Sequence, residues 1–336
     1  FNTLKRMSNK PIVDDKNVLH ILNESILPGQ HKRLNLHTAK LYTTSAVEVP
    51  VIIERSKKKG PVVLITAGVH GDELNGVEIV RQFVAQKMNK PLIGTIICIP
   101  VMNVFGFLNM QREFPDGRDL NRIFPGTKKG PLASRFAYQL SDEILSVVDY
   151  IIDYHTGGAK RFNAAQIRIS KKNPHLLELA KAFNAPFIVF SSTIKKSYRM
   201  TCEKLGIPIL LFEGGMSVDK DPTITKHGLE GLKRVLKHLG MLKAQFTSTQ
   251  AIKPSVFIHN TKWIRAKYSG LLHVKIEIGQ WVNKGEEMAH ITDPYGSFKH
   301  VLKARESGYV INVNLSPMVY QGDAIFHIST KTDDET

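Results

Sequence analysis

Thr66-Ala67-Gly68-Val69-His70-Gly71-Asp72-Glu73 joins two different patterns in this chain. Before it runs an apolar stretch, Pro61 to Ile65, that predicts a buried strand; after it, Leu74, Val77, Val80 and Val84 recur at helical spacing. Strand ends that run into helix starts are where α/β folds carry their sites. His70 and Glu73 stand three apart, so a tight turn or a first helical turn aims an imidazole and a carboxylate at one point. That donor pair suits zinc.

Working outward, Ile93 to Val101 predicts a second buried strand, punctuated by Pro100 and Asn103, which completes a β-α-β unit. Upstream, the alternation of Leu34 and Leu36, then Val47, Val49, Val51 and Ile53, predicts antiparallel edge strands closed by a lysine-rich turn and Gly60-Pro61. Residues 1–30 form an N-terminal lead-in, extended or poorly ordered to about residue 14, with Pro11 its first punctuation. Asn103 to Pro131 lacks periodicity; a loop of that length in a compact domain is usually functional or disordered, and its polar core, Arg112 through Arg122, favours function.

Downstream the elements alternate. A helix over Leu132 to Val147 precedes a strand, Val148 to Tyr154, that leads into His155. A strand near Ala165 to Ile169, a helix Pro174 to Phe183, a strand Phe187 to Phe190 and a helix Tyr198 to Leu205 follow. An apolar strand, Ile207 to Phe212, then ends at Glu213-Gly214-Gly215, and Leu229, Leu232, Leu236 and Leu239 mark a closing helix. The alternation predicts an α/β fold: a three-layer α/β/α domain with a mixed sheet over residues 31–245. A polar linker over 246–256 leads to a small C-terminal all-β domain over 257–330. That tail repeats itself: Ser269-Gly270-Leu271-Leu272 through Lys284-Gly285 and His290-Ile291 matches Ser307-Gly308-Tyr309-Val310 through Gln321-Gly322 and His327-Ile328.

The composition narrows the function. With 336 residues, 42% hydrophobic, the chain has no tract of membrane-spanning length, and Phe1 to Arg6 lacks the apolar core of a signal peptide, so a cytoplasmic protein is expected. Cys98 and Cys202 are too few for a disulfide framework or a thiolate metal site, so any zinc must use histidine and carboxylate. The net charge of +16 comes from scattered pairs and triplets such as Lys57-Lys58-Lys59, Lys128-Lys129, Lys171-Lys172 and Lys195-Lys196. No basic arm or nucleic-acid motif accompanies them, so neither nucleic acid nor membrane is an expected partner. The basic field favours a small anionic substrate.

His70, Glu73 and His155 are the candidate metal ligands, leaving a fourth position open as a catalytic zinc requires. Asp153 lies two residues before His155, on the same strand face, where it can orient the ring. The bland alternative makes His70 a helix cap and His155 a satisfied core residue; two histidines at two strand ends, one with a spaced glutamate, outweigh it. Glu213 stands at another strand end, placed to take a proton from metal-bound water, with loop capping as its structural alternative. Arg112, Arg118 and Arg122 crowd one loop with Asn121. Guanidinium groups clamp carboxylates and stabilise oxyanions, while Asp119 in the same run offers a purely local ion pair.

His70-Gly71-Asp72-Glu73, Asp119-Leu120-Asn121-Arg122, Asp153-Tyr154-His155-Thr156 and Glu213-Gly214-Gly215, in this order, resemble the succinylglutamate desuccinylase/aspartoacylase family of zinc-dependent amidohydrolases, relatives of the zinc carboxypeptidases. The resemblance covers about residues 30–330. It implies one zinc per chain on His70, Glu73 and His155, with Glu213 as general base and Arg112 polarising the amide carbonyl. It also implies that Asn121 and Arg122 hold a substrate carboxylate, and Arg199 is the candidate for a further family arginine. The C-terminal tail resembles a biotinyl/lipoyl-like barrel-sandwich, but its turn, Asp293-Pro294-Tyr295-Gly296-Ser297, has no lysine to carry a cofactor, so a structural or pocket-shaping role is expected. The implied reaction is hydrolysis of an N-acyl amino acid or a similar small carboxylated amide. A metallocarboxypeptidase and a catalytically inactive binding protein are the rivals, and the sequence leaves homo-oligomerisation and acyl specificity open.

Overall fold

The computed structural model describes residues 17–40, 46–170, 174–249 and 253–333. The expected lead-in over residues 1–14, the Lys171-Lys172 pair and part of the 246–256 linker lie outside them. A small hairpin, β1 (Leu19–Ile21) with β2 (Glu24–Ile26), comes first. Then β3 (His31–Lys40) and β4 (Ala46–Arg55) pair antiparallel, β3 being the sheet edge while β4 also joins β6 (Thr95–Ile99). The opening stretch is the link between β5 (Val62–Ala67) and α1 (Leu74–Ala85), and β5 pairs parallel with β6 as a β-α-β unit demands.

The face that α1 buries differs from the sequence expectation. Asn75, Gly76, Ile79, Val80 and Phe83 are buried, whereas Leu74, Val77 and Val84 are only half-buried. Close approach is the reason: a Cβ on Gly76 would lie 2.8 Å from the Tyr154 Cβ, so the helix turns its smallest side chain onto the sheet. Within the long loop, α2 (Val104–Asn109) and a 3-10 turn (Leu120–Arg122) supply order that lacks periodicity. The helix predicted from Leu132 to Val147 is α3 (Leu132–Gln139) continued by π and 3-10 turns.

Next come β7 (Tyr150–Gly157), β8 (Arg161–Ile169), α4 (Pro174–Phe183), β9 (Phe187–Phe190), α5 (Tyr198–Leu205), β10 (Ile209–Met216) and α6 (Pro222–His238). Both site strands outrun their predicted ends, so His155 and Glu213 lie inside strands. The glycines after Glu213 are absorbed as a register irregularity, with Gly215 at φ +73°, because β7 and β8 pair with β10 on either side of it. Alternation along the strands sorts the core. Ile152, Tyr154, Ile167, Leu210 and Phe212 face α1, α4 and α6 in one cluster. Leu64, Ile97, Ile151 and Ile209 pack with α3, α5 and the long loop in another.

The C-terminal strands are β11 (Val256–Arg265), β12 (Gly270–Val274), β13 (Trp281–Val282), β14 (Glu287–Thr292), β15 (Lys299–Lys303), β16 (Gly308–Asn314), β17 (Met318–Val319) and β18 (Ala324–Thr332). Among the described residues the main sheet has twelve strands, ordered β13-β16-β18-β11-β9-β8-β10-β7-β5-β6-β4-β3. A further pairing of β16 with β8 closes β8, β9, β11, β18 and β16 into a ring. Strands of the two repeat halves exchange partners, β12 pairing with β17 and β13 with β16. No described helix is long and apolar enough to cross a membrane.

Candidate metal centre

The turn from Gly68 to Glu73 is fixed by backbone packing. Gly68 adopts φ +62° and its carbonyl accepts from Asn103 N, while a Cβ on Gly71 would sit 1.9 Å from the Gly106 carbonyl carbon. Only glycine fits there. Glu73 occupies the N-cap position of α1, yet its side chain makes no cap hydrogen bond. The carboxylate turns inward: Oε1 lies 2.7 Å from His70 Nδ1 and Oε2 lies 2.9 Å from His155 Nδ1. Thr156 N also donates to Oε2 at 3.2 Å.

The far nitrogens of both rings are held as well. His70 Nε2 lies 3.1 Å from Asp119 Oδ1, and His155 Nε2 lies 2.8 Å from Asp153 Oδ2. The shared strand direction of Asp153 and His155 is therefore a direct bond, and Thr66 Oγ1 donates to the other Asp153 oxygen at 2.6 Å. Arg112 presents its Nε and Nη2 to Asp119 Oδ2 at 3.2 and 2.9 Å, and its Nη1 stands 3.5 Å from Glu73 Oε1. The local Arg-Asp pair anticipated as a structural alternative thus exists, and it reaches the histidine cluster.

Electrostatics match this geometry. Burial disfavours charge on both rings, but the Glu73 charge and the Asp119 bond hold His70 above its ordinary pKa, and Asp153 with Glu73 holds His155 well above. Burial would raise Glu73; the two rings keep its carboxyl well below the usual carboxylate range. The donor set fits a divalent cation: one ligand atom from each of His70, Glu73 and His155 lies within 4.8 Å of the others, and all three residues are buried. With Asp119 and Asp153 taking the Nε2 protons, the Nδ1 lone pairs converge once their protons leave.

Glu213 is one strand away. In register it pairs with His155 of β7 on one side and Gln166 of β8 on the other, so the three side chains share a face. Burial pushes the Glu213 carboxyl up, against the pull of Arg168 and His155. Asn163 Nδ2 donates to its Oε2 at 2.8 Å. Asn163, Gln166 and Arg168 escape sequence reasoning: alternation marks β8 as having a polar face, but nothing local says that it lies against β10.

The remaining candidates have other bonds in place. Asn121 Oδ1 accepts from Tyr198 N at 2.9 Å, tying the loop to the start of α5. Arg122 donates to the Asn121 carbonyl at 2.8 Å and, with Arg118, Lys196 and Lys204, lines a cavity of ≈ 430 Å³ that none of the metal-cluster residues lines. Arg199 is buried, donates to the Ser191 carbonyl at 2.6 Å and hydroxyl at 3.0 Å, and stands 3.6 Å from Glu203. Burial, opposed by Glu203 and reinforced by Arg168, lowers its pKa.

Residues 59–239 match the succinylglutamate desuccinylase/aspartoacylase catalytic domain, more than half of the chain. The chain belongs to the succinylglutamate desuccinylase/aspartoacylase family. The stretch matched to this family runs from just before β5 to the end of α6, and so includes every strand and turn that carries the His-Glu-His cluster and Glu213. An N-alpha-acetyl-L-2,4-diaminobutyric acid deacetylase of Halomonas elongata is 26% identical over 262 residues, 74% of this chain and 75% of that protein. A succinylglutamate desuccinylase/aspartoacylase structure from Rhodobacter sphaeroides has a TM-score of 0.79 at 25% identity, covering 89% of this chain and 95% of that one. The product-bound structure of the ectoine utilization protein EutE (DoeB) from Ruegeria pomeroyi has a TM-score of 0.78 at 23% identity, covering 90% and 95%, and shares the fold. The likeness to these structures extends well beyond the catalytic match.

Proposed function

We propose that this protein hydrolyses the amide bond of an N-acyl amino acid or a similar small carboxylated amide, with one zinc ion held by His70, Glu73 and His155. The observation that carries the proposal is a buried His-Glu-His donor set one strand from a half-buried glutamate, in a chain of this family. Zinc, when bound, lowers the pKa of a coordinated water and polarises the scissile carbonyl. Glu213 accepts the proton of the attacking water on its Oε1, since Oε2 is held by Asn163, and passes it to the nitrogen of the leaving amine. The water oxygen becomes part of the released carboxylate. Arg112, held in place by Asp119, directs a guanidinium N–H at the carbonyl oxygen as negative charge grows on it. Asn121, Arg122 and Arg199 are assigned to the substrate carboxylate, for which the basic cavity beside Arg122 supplies attraction.

Several finer assignments go with this proposal. The hydrolase domain spans residues 31–245 in three α/β/α layers, after a lead-in over 1–30, and the strands over 257–330 form a barrel-sandwich-like module that shapes the site. Two buried, unpaired cysteines favour the reducing cytoplasm. The name of the Halomonas relative makes short-chain acyl groups on small amino acids the first substrates to try.

The test pairs metal analysis with a panel of acetyl-, succinyl- and peptidyl-amino acids. Activity on acyl amino acids, abolished by chelation and restored by zinc, is the expected result; turnover of peptides alone would replace the proposal with a carboxypeptidase. Glu213→Gln should retain zinc and lose turnover by about a hundredfold or more. Full turnover in that variant would sink the mechanism.

A further inference from the structure

We propose that Asn163 of β8 and Asn312 of β16 form a two-amide relay that fixes the working orientation of the Glu213 carboxylate. The C-terminal strands thereby take part in catalysis. The inference rests on Glu213 acting as the base.

The bonding leaves one arrangement. An ionised carboxylate only accepts, so Asn163 must turn its Nδ2 toward Glu213, where it stands 2.8 Å from Oε2. The Asn163 carbonyl then points the opposite way and needs a donor. Asn312 Nδ2 supplies it at 2.7 Å, across the β16–β8 pairing that sets Asn312 opposite Asn163. Both asparagines are 3% exposed. An amide can sit in either of two flips of almost the same shape, and its neighbours select between them. Asn312 selects the flip that presents N–H to the base.

The end of the chain of bonds argues against simple structural glue. Asn312 Oδ1 is buried with no partner among the described residues, a state that costs stability and that an apolar pair of similar shape would avoid. The relay's return is directional. With Oε2 pinned, Glu213 keeps Oε1 for the proton and cannot rotate freely away from the water. Asn163 and Asn312 are positioning residues: Asn163 bonds the base and Asn312 bonds Asn163.

Two near-isosteric variants test this. Asn163→Asp removes the donor from Glu213 directly. Asn312→Asp leaves Glu213 untouched but accepts instead of donating, so Asn163 rotates its Nδ2 toward residue 312 and turns its carbonyl on the base. The expected result in both is a kcat lower by on the order of tenfold to a hundredfold per metal-loaded protein. KM and zinc content should stay at wild-type values, while the melting temperature should fall in both because each substitution buries a carboxyl. In a Glu213→Gln background the loss from Asn312→Asp should vanish, because the amide introduced by that substitution can donate to the rotated carbonyl. Asn312→Ser, which removes the amide without adding charge, provides the same comparison if the aspartate variant does not fold.

The outcomes separate the two ideas. Full turnover by Glu213→Gln removes the base and the relay together. An inactive Glu213→Gln with wild-type kcat in both asparagine variants overturns the relay alone. A loss from Asn312→Asp that is equal in both backgrounds, or confined to melting temperature or KM, makes the role structural and also overturns it.

Discussion

Each histidine of the cluster is gripped at both ring nitrogens, and the outer grip decides how the inner one is aimed. Asp153 accepts two bonds, one from Thr66 and one from His155, so removing its charge loosens the ring without touching the ligand atom. Asp153→Asn should weaken zinc binding by about ten- to a hundredfold, read by competition with a chromogenic chelator. Unchanged affinity would show that Asp153 does not set the ring. A second residue makes a prediction about acid. His327 is 8% exposed, stacks on Trp263 with ring centroids 4.3 Å apart, and is lowered to about 3 by burial and by the nearby Arg168 charge. It is neutral in the fold, whereas the unfolded chain takes up its proton below the ordinary histidine value. Stability from this group is therefore fully present above about pH 6.5 and drains as pH falls toward 3, about 2 kcal/mol by pH 5. His327→Phe, which keeps a stacked ring, should flatten the urea-unfolding stability between pH 7 and 5 by about that amount. An unchanged slope would assign the acid sensitivity elsewhere. At this scale the sequence is most legible where partners lie close along the chain. Spacing alone pairs His70 with Glu73 and sets Asp153 on one strand face with His155 without giving their bond, whereas nothing in the spacing joins Asn163 to Glu213.

Helix α6 displays the rules that make elements readable. Asp221 caps it, its Oδ1 accepting from Thr223 N at 2.7 Å and Ile224 N at 3.0 Å, with Pro222 in the first turn. The same residue's N–H donates to Asn75 Oδ1 at 2.7 Å, which ties the start of α6 to α1. Asp221→Ala should therefore cost about 1–2 kcal/mol in urea unfolding, with the His-Glu-His cluster intact. A loss under a few tenths of a kcal/mol would mean that solvent replaces the cap. Helices and strands of regular period are predicted nearly to the residue, as with Pro174–Phe183 and Tyr198–Leu205. The errors fall where a neighbour overrides local pattern. β10 continues past Glu213 because strands on both sides hold its irregular glycines, and α1 buries Gly76 rather than Val77 because Tyr154 stands beneath it. In the long loop, Asn103 caps α2 by accepting from Gly106 N at 2.9 Å and donates to the Glu113 carbonyl at 2.9 Å, an order that no periodicity announces.

For the whole molecule, the closed ring of β8, β9, β11, β18 and β16 is the feature that the chain order hides. It joins the strands beside Glu213 to segments far later in the chain, through β9–β11 and β16–β8 pairs. A chain ending at Phe246 should lose turnover and aggregate, because the paired edges of β8 and β9 would be bare. Size-exclusion chromatography and activity of that truncation check this; a monodisperse, active fragment would contradict it. Residue order alone specifies the α/β alternation, the junction at His70 and Glu73, the repeat in the C-terminal strands and the four motifs of the family. These are written in period, spacing and residue type, which act over a few neighbours. Tertiary packing settles which strand lies beside which, and so which amide faces Glu213, which carboxylate holds His70 from outside, and how the last strands close on the catalytic sheet. Those choices are made by burial and pairing summed over the whole chain, where two residues far apart in sequence meet because every intervening element has already found its place.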